Sequence, residues 1–147
     1  MVFNVSLTLT TAQAIISETL AHAKVSNFKP LGVVVLDARG SVVAAAIQDG
    51  SSLARFDIAK AKANGAISLN MGSRGIEKLA KDRPHFLAGA LGVIDGLIPV
   101  PGGVLIKTAD STTLGAVGVS GDTSDNDEAA ALAGIKAVNL IGDGGQS

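Results

Sequence analysis

A chain of 147 residues is one domain in length and can bury one substantial core. Its 12 Lys and Arg against 13 Asp and Glu leave a net charge of -1, without the basic surplus that phosphate contacts need, which excludes nucleic acid as an expected partner. The absence of Cys excludes thiolate metal sites, and no apolar run approaches the roughly 18 to 20 residues that span a bilayer, so no membrane partner is expected.

The opening MVFNVSLTLTT lacks the basic-then-apolar pattern of a secretory signal, so the cytoplasm is the expected location. The first helix is predicted to start at Thr10, which has capping-box spacing to Gln13. Ile15, Ile16, Thr19, Leu20 and Ala23 then recur at helical spacing, and the helix ends near Ser26 or Asn27, ahead of Pro30. Leu31–Leu36 and Ser41–Ile47 are β-branched or apolar runs around Asp37-Ala38-Arg39-Gly40, a hairpin signal. Leu53–Asn70 is Ala-rich and free of Pro, which predicts a second long helix. Ser73 caps a short third helix through Ala80 that stops before Pro84.

From Val93 the chain turns β-like. Pro101-Gly102-Gly103 leads into a strand at Val104–Lys107, and a turn at Asp110-Ser111 precedes a second strand at Leu114–Val119. A last helix is predicted over roughly Asp125–Ile141, with a frayed tail from Gly142 to Ser147. No repeat, linker or low-complexity tract divides the chain, so residues 1–147 read as a single α+β domain with an antiparallel sheet covered by helices. Apolar residues make up 47% of it and charged ones only 17%, leaving too little polar cover for an isolated surface. A homo-oligomer is therefore expected to bury the excess.

Four segments together resemble the GlcG/HbpS-like family, which also resembles the C-terminal domain of PduO-type corrinoid proteins. They are Val34-Val35-Leu36-Asp37-Ala38-Arg39-Gly40, Ala59 to Ala66 with its Lys62-Ala63, Pro101-Gly102-Gly103-Val104-Leu105-Ile106, and Gly115 to Gly121 followed by Asp125, Asp127, Glu128 and Ala133-Gly134. Their order and spacing run over residues 7 to 138. The chain departs from the pattern at Ile47-Gln48, at Ser51 and at Leu105. The resemblance implies a profilin-like fold, homo-oligomeric assembly, and the handling of haem or a related tetrapyrrole.

Within that resemblance, His22 on the first helix stands where some members place an axial haem ligand. It lies at the boundary of the apolar stripe, a position that reads first as plain solvation and that also suits metal ligation. His85, after Pro84, reads as surface loop. Gly102 and Gly103 offer unobstructed amides for an anion, or simply a tight turn. Asp125, Asp127 and Glu128 complement the dipole of the last helix, or serve a pocket as proton acceptors or ligand contacts. Lys62, on an Ala-rich helix face, is either tied to Asp127 as a structural pair or is a catalytic amine of lowered pKa. The leading expectation is a small-molecule site for haem, with His22 on the iron. The alternative is an enzyme that moves a proton on a small carbonyl or hydroxy-acid metabolite, using Lys62 and Asp127.

Overall fold

The computed structural model describes residues 6–146 and places ten elements along the chain. They are α1 (Leu9–Val25), β1 (Gly32–Asp37), β2 (Val42–Ile47), α2 (Arg55–Leu69), α3 (Ser73–Asp82), α4 (Pro84–Leu91), β3 (Gly103–Lys107), β4 (Thr113–Ser120), α5 (Ser124–Ala137) and β5 (Ile141–Asp143). The strands form one antiparallel sheet in the order β2-β1-β4-β3-β5. This is the expected α+β fold, with helices on both faces of the sheet.

Alternation along the central strands decides which helix covers which face. Val33, Val35, Val117 and Val119 point to a core shared with α1 and α5, filled by Ile15, Ile16, Ala131 and Ile135. Val34, Leu36, Leu105 and Ala116 point the other way and meet Ala59, Ala63 and Ala66 of α2. An Ala-faced helix packs closely, and β4 supplies the matching absence of side chain at Gly118, where a Cβ would strike the Ala59 carbonyl oxygen. A third, smaller cluster of Ile76, Leu87 and Leu97 holds α3 and α4 beside α2.

Five boundaries differ from the sequence expectation. Ser73 does not cap α3: the N-cap is Gly72, Ser73 is the first helical residue with its hydroxyl turned to the Gly103 amide, and the helix runs on to Asp82. The N-cap of α1 is Thr8, whose hydroxyl accepts from the Thr11 amide, so Thr10 lies inside the first turn. Pro84 both stops α3 and occupies the first turn of a further helix, α4, so His85 is helical rather than in a loop. The last helix ends at Ala137, because Asn139 adopts a positive φ of 63° and turns the chain back. The described segment beyond it is tied to the fold rather than frayed: Ile141–Asp143 pairs with β3, and Gly144 accepts the Arg74 amide.

Candidate functional site

Lys62 rises from α2 into the interior between β4 and α5 and is 2% exposed. Its Nζ donates to the Val119 carbonyl at 2.9 Å and to Asp127 Oδ2 at 3.1 Å. Asp127, equally buried, accepts the Asp122 amide on its other oxygen at 2.9 Å. Burial pushes Lys62 down and Asp127 up from their usual pKa values, while their mutual attraction and hydrogen bond oppose both shifts.

Gly102, with a φ of 126°, lies against the Lys62 side chain, so any Cβ there would meet Nζ at 2.8 Å. Gly103 donates its amide to Ser73 Oγ at 2.7 Å. Lys62 and Asp127 thus come together as the sequence suggested, with the glycine pair beside them, and all four residues are buried. The arrangement ties α2, β4 and α5 into one unit.

Asp125 and Glu128 turn to a different partner, one the sequence did not single out. Arg74 at the start of α3 reaches Asp125 with one nitrogen and Glu128 with another at 3.1 Å. Gln146 donates to the same Glu128 carboxylate at 3.0 Å. These bonds fasten the C-terminal segment and α3 to the start of α5. Among the described residues, no group of three or more His, Asp or Glu is arranged to hold a metal ion.

His22 stands apart from both clusters. Its ring meets the edge of Phe28 at a centroid distance of 5.8 Å and an interplanar angle of 72°. Its nearest polar partner is Ser26 Oγ, 3.5 Å from Nε2, too long for a firm hydrogen bond. One turn along α1, Val25 is 89% exposed. An imidazole whose Nε2 has only this loose partner, packed on Phe28 and on a helix that also exposes Val25, has the chemistry to ligate a flat, apolar, metal-bearing group.

Three surface hollows accompany these residues. A cleft of about 720 Å³ between α1 and the end of β2 is walled by Leu20, Phe28 and Ile47 and edged by Lys24, Gln48 and Asp49. His22 is on the same helix but off this wall, with Phe28 between the two. Ile47 and Gln48, two departures from the family pattern, both face the cleft. Ser51, a third departure, buries a hydroxyl with no partner. A smaller hollow of about 330 Å³ continues along Ile16, Ser17 and Ala44 to Ala46. The third, about 350 Å³, is apolar and lies by α4, walled by Leu69, Phe86, Ala90, Val93, Ile94 and His85. Neither Lys62 nor Asp127 lines any of the three.

Several solved structures have the same layout. HbpS matches at 25% identity and a TM-score of 0.80 over 94% of each chain. A double mutant of HbpS from Streptomyces reticuli matches at 26% identity and a TM-score of 0.79 over 94% of this chain and 90% of that one. A PduOC:haem complex matches in fold at a TM-score of 0.81 and 21% identity, over 92% of this chain and 97% of that one. No match was found among curated proteins. No helix among the described residues is long and apolar enough to cross a membrane. The family model described as haem degrading protein HbpS-like matches residues 7–136, and the chain belongs to that HbpS-like family.

Proposed function

We propose that this chain binds haem or a closely related tetrapyrrole, with His22 supplying the imidazole for the iron, in a homo-oligomer. The observation that carries the reading is the state of the His22 ring, half-buried, edge-packed on Phe28 and free of any firm hydrogen bond. Bound haem would contribute iron-centred ligand binding or redox chemistry. The chain's own share is to hold the ring orientation through Phe28 and to offer apolar cover through Val25.

A macrocycle seated on so open a face leaves one side to solvent in a lone protomer. A second copy of the chain would cover that side, which is how the homo-oligomer enters the reading. Binding is favoured over proton transfer because the candidate catalytic groups, Lys62 and Asp127, are buried and line none of the three hollows. Lys62 is spent on Val119 and Asp127, and the Gly103 amide on Ser73.

The test is a haemin titration followed at the Soret band. The band should shift and saturate at a whole number of equivalents per protomer, and His22→Ala should lower that number by one. Equal stoichiometry in the two proteins would remove His22 from the reading, and an unshifted band in both would remove haem.

A further inference from the structure

The hollow beside α4 has a composition unlike the other two. Its walls are Leu69, Phe86, Ala90, Val93 and Ile94, and its one polar side chain is the imidazole of His85. Val93 is 86% exposed and Phe86 38%, so apolar surface lies open to water around that ring. One helical turn beyond His85 on the same face of α4 stands Gly89, where an added Cβ would meet nothing within 4 Å. The helix therefore presents an imidazole with clear space beside it, which a flat body needs in order to lie against a helix and still reach the ring nitrogen. At the rim, the Arg83 guanidinium lies 5.1 Å from the centroid of Phe86. Among the described residues, no carboxylate pairs with it.

From these four features we infer that His85 and its hollow form a second ligand seat, separate from His22. The ligand class is a planar, mainly apolar metal macrocycle bearing peripheral carboxylates. The hollow's volume of about 350 Å³ lies near the small end of ligand pockets, which run from roughly 300 to 1,000 Å³, so it takes one edge of such a body. His85 ligates the metal, Phe86 and Val93 cover the apolar rings, and Arg83 receives a carboxylate at the open edge. The inference rests on the tetrapyrrole reading for the ligand class, but not on His22 for the site.

The experiment is a haemin titration of the parent protein and three variants, His22→Ala, His85→Ala and Gly89→Leu, with light scattering on each. Gly89→Leu fills the space beside the ring while keeping it, and it improves helix propensity, so folding is not at risk. The expected result is two equivalents per protomer in the parent and one in each variant, with mass unchanged. A loss confined to His22→Ala overturns the second seat and leaves the first. A loss in His85→Ala and Gly89→Leu but not in His22→Ala does the reverse. A loss in His85→Ala that Gly89→Leu does not share overturns the seat as described. A fall in mass with stoichiometry unchanged shows the hollow to be a contact between copies, which also overturns it. No binding in the parent overturns both seats.

Discussion

Replacing Lys62 by Met keeps the apolar stem against Gly102 but removes the ammonium from Asp127. The carboxylate, 2% exposed, then retains only its backbone hydrogen bonds from Asp122 and Gly121. Breaking a buried ion pair from one side costs about 3–5 kcal/mol. At this chain length each kcal/mol lowers Tm by roughly 2–4 °C, so Lys62→Met should melt about 6–20 °C below the parent.

The loss should depend on pH in a defined sense. Burial already raises the Asp127 pKa, and removing the cation that opposed the rise lifts it further. A folded-state pKa above the unfolded value means that the folded variant holds its proton more tightly. Its stability is then greatest below about pH 4, the ordinary Asp value, and falls as pH rises through the raised folded value. The Tm gap between parent and variant should therefore narrow from pH 7 toward pH 4, as followed by circular dichroism melts at half-unit pH steps. Adding Asp127→Leu to Lys62→Met should recover much of the loss at pH 7, since no buried charge remains. A gap below about 2 °C, or one that does not change with pH, would refute the account of the pair as a structural tie.

Four further outcomes follow from the packing. Gly118→Ala pushes a methyl into the Ala59 carbonyl and should cost about 3 kcal/mol or more, read as a fall in Tm or in the yield of folded protein. Arg74→Ala strands the largely buried Glu128 and should cost about 2 kcal/mol in urea melts. Asp125→Ala removes a carboxylate that is 78% exposed and should cost less than about 1 kcal/mol by the same measure. Light scattering at micromolar concentration should give a mass at least twice the 14.6 kDa of the chain, because Leu9, Leu53 and Ile141, outside both ligand seats, are all exposed on a lone protomer.

The sheet is legible in the sequence because its central strands carry side chains that pack on both faces. Val33 to Leu36 and Val104 to Ile106 are runs of that kind. The α4 helix escapes such a reading because Pro84 looks like a terminator, although Pro is as much at home in the first turn of the next helix. The β5 strand is three residues long and exists only through pairing with β3, a non-local contact that no periodicity reports. In the site, the approach of Lys62 to Asp127 can be anticipated from a lone cation on an Ala face and an acid at a helix start. Arg74 cannot, since its partners lie 51 and 54 residues away, with α4, β3 and β4 in between. The character of His85 is hidden for the same reason: its apolar neighbours come from α2, α4 and the loop that follows, and only the fold assembles them.

The central claim is that the His22 face takes a haem, and ligation can be read directly from the iron. Resonance Raman spectra should be taken on a ferrous parent carrying His85→Ala, which removes the second seat, and with sub-stoichiometric haem that parent should show an iron–histidine stretching band. That band should weaken or vanish in His22→Ala and return when free imidazole is supplied. A parent spectrum without an iron–histidine band, or one left unchanged by His22→Ala, would contradict the claim.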